Sequence, residues 1–144
     1  SSTYITTITY FAVPVVANSS TFGNLTQGRS NPSGTGNETR AIFGGGFYYT
    51  GNSSQPIDDR VQNVIDYVTI DTTGNATDFG DLSVRRTNPG STTNWTRAVY
   101  IAGFAGSSGR VNTMDYVTID TTGNATDFGD MRTAGSNAST ASGT

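Results

Sequence analysis

The 144-residue sequence contains no cysteine, no histidine and no lysine. Without cysteine there are no disulfides, no thiolate metal ligands and no thiol nucleophile, and without histidine the commonest general base and metal ligand is missing. Most hydrolase mechanisms are excluded on that count. Charge is also sparse: eight arginines against eleven acidic residues give a net charge of −3 and no basic patch. Nucleic-acid binding needs such a patch, so no nucleic-acid partner is expected. No apolar run approaches the roughly 20 residues of a membrane-spanning helix, so no membrane span is expected either. Fifteen serines, 25 threonines and 18 glycines are present instead. That composition favours short strands and many turns over long charged helices, coiled coils or charged disordered tails.

An internal repeat organises the chain. The sixteen residues from Asp66 to Asp81, DYVTIDTTGNATDFGD, recur unchanged from Asp115 to Asp130, a spacing of 49. A weaker copy lies upstream at a spacing of 57. There Ile8, Tyr10, Asn18, Phe22, Gly23, Leu25 and Arg29 match Ile65, Tyr67, Asn75, Phe79, Gly80, Leu82 and Arg86, and Asn31-Pro32 matches Asn88-Pro89. The same spacing carries Thr39-Arg40-Ala41-Ile42 onto Thr96-Arg97-Ala98-Val99. The eight extra residues of the longer spacing fall most naturally in the polar stretch Gly51 to Arg60, a loop, because loops absorb insertions cheaply.

The apolar runs are four to eight residues long, β-branched or aromatic, and bounded by Gly, Asn, Pro and Ser clusters, which predicts strands. Each unit reads as three strands: a YVTI strand (Val64 to Ile70, Met114 to Ile119), a DFGDL strand, and a TRAIFGGGF strand (Arg40 to Tyr48, Arg97 to Phe104). The expected fold class is therefore all-β, with repeated three-stranded units forming a sandwich or an incomplete propeller-like assembly. Its expected bounds are 8–132, with copies at about 8–39, 40–95 and 96–132. There are three YVTI and DFGDL pairs but only two TRAIFGGGF strands, so one sheet edge lacks a partner. Residues 1–16 form an N-terminal arm, and Tyr4, Ile5, Ile8, Tyr10, Val13 and Val15 are its apolar contacts. Either the arm adds as a strand to a neighbouring subunit, giving head-to-tail homopolymers, or it closes its own domain. Residues 133–144 are expected to form a flexible Ser/Thr/Gly-rich tail. A start at Ser1 without a charged leader fits a processed product and equally a fragment of a longer repeat protein.

The text IDYVTIDTTGNATDFGDL followed by TRAIFGGGF resembles a tandem kelch-like repeat of structural proteins predicted in aquatic bacteriophages and in environmental sequences of unknown host. The resemblance covers about Ile8 to Met131. It implies a blade-like β unit on a virion or a cell-surface appendage. A closed propeller usually has at least four blades. This chain has fewer than three, so closure would need several chains, and a packed sandwich fits the count as well.

Eight of the ten aspartates lie in the unchanged repeats. Asp71, Asp78, Asp120 and Asp127 are weak calcium candidates, being carboxylates beside Asn and glycine turns. Their spacing matches neither the EF-hand loop nor the nonapeptide calcium repeat, and solvated turn or edge charges are the alternative. No other metal or cofactor is expected. Asn18, Asn24, Asn37, Asn52, Asn75, Asn94, Asn124 and Asn137 each begin an Asn-X-Ser/Thr sequon. These are candidate sites for covalent glycans, or simply turn residues that generate sequons by composition. Arg40 and Arg97 precede the glycine strand in both copies and are candidate clamps between units, paired with repeat carboxylates. Tyr67, Tyr116, Phe79 and Phe128 recur as core aromatics, whereas Tyr48, Tyr49 and Trp95 lie beside loops and could stack on sugar rings.

The expected function is thus non-enzymatic: a self-assembling, glycosylated, extracellular or virion-borne filament or fibre subunit. A carbohydrate- or receptor-binding module using loops 51–60 and 90–96 is the alternative. A glycosidase built on paired aspartates is the least supported.

Overall fold

A computed structural model describes residues 4–13 and 16–142. Strands β1 (Thr7–Tyr10) and β2 (Ser20–Asn24) form a two-stranded antiparallel hairpin. Strands β3 (Ser33–Gly36), β4 (Arg40–Gly44), β5 (Val64–Thr69) and β6 (Thr77–Asp81) form a four-stranded antiparallel meander. A second meander follows: β7 (Gly90–Thr93), β8 (Arg97–Phe104), β9 (Arg110–Thr118) and β10 (Thr126–Gly135). The chain is all-β, as its composition suggests.

The unit is not three-stranded, however. It has four strands, and the one missed by sequence is β3 with its counterpart β7. Their texts, SGTG and GSTT, carry no apolar alternation, because these strands meet through polar and backbone atoms. Ser33 Oγ donates to Ser91 Oγ at 2.7 Å, and Ser91 Oγ donates to the Gly34 carbonyl at 3.0 Å. The unit boundaries shift accordingly: a complete unit opens at β3 or β7, and the first copy contributes only its last two strands.

Local chemistry explains the reversals. Asn37 Oδ1 accepts the backbone N–H groups of Thr39 and Arg40, both at 2.9 Å, and Asn94 Oδ1 accepts those of Thr96 and Arg97. These Asx turns join β3 to β4 and β7 to β8. In β6 a bulge places Gly80 at φ 144°, a conformation that only glycine adopts without strain.

The main core lies between the two meanders. Ile42, Ile65, Phe79 and Leu82 of one pack on Ala98, Tyr100, Val117 and Ile119 at the other. Burying side chains of this size stabilises by about 1.5–3 kcal/mol each. The inserted loop carries a four-residue helix, α1 (Ile57–Arg60). It is held by Arg60, whose Nε donates to the Gln55 carbonyl at 2.9 Å and whose guanidinium covers the Tyr49 ring at 4.4 Å. No helix among the described residues is long and apolar enough to cross a membrane.

Candidate functional site

The features with most chemical content lie where one unit meets the next. Arg29, just past β2, reaches forward into the second sheet, where its Nη1 meets Asp66 Oδ2 at 2.9 Å. Both side chains are fully buried. Arg29 Nε also donates to the Gly45 carbonyl at 2.8 Å, while Thr26 Oγ1 donates to Asp66 Oδ1 at 2.6 Å. One unit later the contacts to the carboxylate reappear, although the buried Arg86 Nε has no partner among the described residues. Arg86 pairs with Asp115, again with both side chains buried, and donates to the Thr113 carbonyl at 2.9 Å. Ser83 Oγ donates to Asp115 Oδ1 at 2.5 Å. Desolvation pushes the Arg86 guanidinium below its ordinary pKa, and the Asp115 carboxylate opposes that shift. Tyr100, buried near both arginines, has its phenol pushed well above the ordinary range by burial. A buried charge is tolerable only when paired and hydrogen-bonded, and each arginine here supplies that pairing to the neighbouring unit.

A second device joins the units. The TTGNAT turn of the second sheet lies on β2: Ala76 N–H donates to the Asn24 carbonyl at 2.8 Å, and Asn75 Oδ1 accepts the Asn24 N–H at 3.1 Å. The matching turn of the third sheet lies on β6, with Ala125 N–H on the Asp81 carbonyl at 2.7 Å and Asn124 Oδ1 on the Asp81 N–H at 3.0 Å. Gly23 and Gly80 sit directly beneath these turns. A Cβ on either would collide with the carbonyl of Gly74 or Gly123.

The pairing with repeat carboxylates is made by Arg29 and Arg86, not by Arg40 or Arg97. Arg40 does reach the next unit, but its Nη1 donates to the Ile119 carbonyl at 2.9 Å while its guanidinium covers Tyr67. Arg97 covers Tyr116 of its own sheet at 4.6 Å. The signal for the actual clamp was present, since Arg29 and Arg86 match at the same spacing as the core residues. Asp66 and Asp115 are the buried members of the repeat carboxylates. Asp71, Asp78, Asp120 and Asp127 are exposed, and among the described residues no three acidic side chains lie close enough to hold a metal ion.

Of the arm residues, Ile8 and Tyr10 belong to β1, which pairs with β2 of its own chain. The Tyr4 ring lies 5.9 Å from that of Tyr48 and 6.5 Å from that of Phe47. Ile5 and Val13 are exposed, and Val15 lies outside the described residues. Within the arm, β1 and Tyr4 therefore contact their own chain, whereas Ile5 and Val13 are left open to solvent. Among the sequons, Asn37, Asn52, Asn75, Asn94 and Asn124 use their side-chain oxygens in turns or between units, and Asn24 Oδ1 accepts from Thr6 Oγ1 of its own unit. Asn18 and Asn137 are exposed.

Residues past β10 also make specific contacts. Asn137 N–H donates to the Asn88 carbonyl at 3.0 Å, as Asn88 N–H donates to that of Asn31 at 3.2 Å. Thr92 Oγ1 donates to the Ala141 carbonyl at 2.9 Å. These residues, expected as part of a flexible tail, run beside β7 much as β7 runs beside β3. Phe128, expected in the core, is 51% exposed, whereas Phe79 at the identical repeat position is 2% exposed. Trp95 is 58% exposed at φ 72°, beside a cleft of about 370 Å³ that is also lined by Asn37, Glu38, Thr39 and Asp120.

A scan against protein-family models finds no match, and a search of curated proteins finds none either.

Proposed function

We propose that this chain is a non-enzymatic structural module, a β-repeat subunit that assembles with further copies into an extracellular or virion-borne filament or fibre. The observation that carries the reading is the twofold recurrence of one interface within the chain: buried arginine on aspartate, and turn on strand, at matched positions. A surface that stacks on a copy of itself inside one polypeptide is suited to stacking on a copy in another. Strand addition contributes a second route. The edge of β1 that corresponds to the β4-paired edge of β5 has no partner strand among the described residues, and an extended segment of a neighbouring subunit can pair there. The blade-like character follows from the four-stranded meander, and closure into a propeller would require further units. Covalent glycans at exposed sequons such as Asn18 and Asn137 belong to the same reading, as does an extracellular or virion location.

Electron microscopy of purified protein across a concentration series tests it. Extended or ring-shaped assemblies are the expected result; isolated 15.1 kDa particles at every concentration would remove the reading.

The exposed Trp95 favours a second reading, a carbohydrate-binding module. A tryptophan face at the rim of a cleft holding Glu38 and Asp120 can stack on a sugar ring while the carboxylates accept its hydroxyls. Tryptophan fluorescence titrated with a glycan panel tests this, and a flat response throughout would dismiss it.

A further inference from the structure

The internal interfaces define what each face of a sheet meets when it is covered. Ile42, Ile65 and Phe79 of the second sheet are buried against the third. Their repeat counterparts Val99, Met114 and Phe128 lie on the far face of the third sheet, where with Ile101 they form the apolar floor of a groove of about 400 Å³ whose rim includes Arg97, Ala141 and Ser142. At the opposite end of the chain the hairpin turns Phe11 and Val13 outward, 66% and 81% exposed. Phe11 and Val13 occupy the repeat positions of Val117 and Ile119, the residues that fill the internal core. One end of the molecule therefore presents an unfilled half of a core, and the other presents its filling.

The charges agree with this match. At the end of β10, in the position that corresponds to Arg29 and Arg86, stands Gly135, and in β1 the position of Asp66 and Asp115 is held by Thr9. Both partners of the clamp are missing together. At the clamp position a contact between these two surfaces strands neither a guanidinium nor a carboxylate, either of which would be strongly unfavourable, while Arg97 in the groove keeps its stack on Tyr116. The turn device is retained: Gly129 lies open on β10 with nothing nearer to a Cβ there than the Met114 methyl at 3.9 Å, and Asn18 stands where Asn75 and Asn124 stand.

We infer that the open face of the third sheet docks the β1–β2 hairpin of a second copy of this chain, continuing the stack head to tail. The inference rests on the assembly reading and specifies its interface. The second sheet separates the two surfaces within one molecule, so the occupant is a neighbour. In the docked pair Phe11 and Val13 enter the groove beside Phe128, and the neighbour's Asn18 Oδ1 accepts the Asp130 N–H.

The absence of cysteine makes crosslinking a clean test. A chain carrying both Asn24→Cys and Asn75→Cys, at the internal counterpart, provides the reference by closing within itself. Two singly substituted chains, Asn18→Cys and Asp130→Cys, mixed and oxidised, should form a crosslinked pair. By sedimentation velocity Phe128→Asp should weaken self-association by more than about tenfold, with the circular dichroism spectrum unchanged. Val13→Asp, on the opposite surface, should do the same. If the unsubstituted chain associates while both variants leave association unaltered and no mixed disulfide forms, this interface is wrong and the assembly reading stands. If the unsubstituted chain remains single at all concentrations, both fall.

Discussion

Arg86 lies out of reach of solvent, its guanidinium shared between Asp115 and the Thr113 carbonyl, and Arg29, equally buried, is shared between Asp66 and the Gly45 carbonyl. Removing one member strands its partner in the core. Asp115→Ala is therefore expected to destabilise by about 3–5 kcal/mol, and the double change Arg86→Met with Asp115→Val by much less. Urea midpoints of the two variants check this; equal losses would mean that the pair is not the source of the cost. Asp58 differs because it lies at the surface. The backbone and side chain of Ser107 donate to its carboxylate, both at 2.7 Å, and these bonds, with the Arg85 charge, hold its pKa below the ordinary 3.8. A lowered folded-state pKa means that the contact contributes above the ordinary carboxylate range and is lost as pH falls through the folded value. The Ser107 amide shift should follow that titration with a midpoint under 3.8, and a midpoint at or above it would contradict the contact.

At the level of the strand and turn, the close approach of the TTGNAT turn to the preceding unit carries the prediction. Gly23 has no positive φ, so Gly23→Ala tests contact alone: its Cβ would run into the Gly74 carbonyl. A Cβ at Gly74 would meet nothing within 4 Å, and Gly74 has no positive φ either. Thermal unfolding should show Gly23→Ala strongly destabilised, and Gly74→Ala within about 0.5 kcal/mol of the parent or slightly stabilised. The elements also show what sequence could convey. β4, β5, β8 and β9 announce themselves through β-branched and aromatic runs. β3 and β7 do not, since Ser33 and Ser91 bond each other and backbone carbonyls, and no apolar period marks such a strand. The clamp was half legible: the spacing singled out Arg29 and Arg86 with the core residues, but nothing in the text around them distinguished a buried arginine from the exposed Arg97.

Across the whole molecule stability is unevenly placed. The two four-stranded sheets share a core of eight buried residues, whereas the first sheet is a lone hairpin with exposed Tyr10, Phe11 and Val13. Two-stranded hairpins are marginal by themselves, so amides of β1 and β2 should exchange with solvent well before those of β5, β8 and β9. Hydrogen exchange read by mass spectrometry checks this, and uniform protection would show that the hairpin opens only with global unfolding. Phe128 is the case that no reading of residues could resolve, because its surrounding sixteen residues are those of the buried Phe79. That duplication has a practical consequence. Since Asp66 to Asp81 and Asp115 to Asp130 share every letter, any spectroscopic or chemical difference between them originates in their surroundings. The molecule thereby contains a matched reference for itself: as assembly proceeds, the signal of the outer copy should converge on that of the inner one, and the extent of convergence would report occupancy without a label.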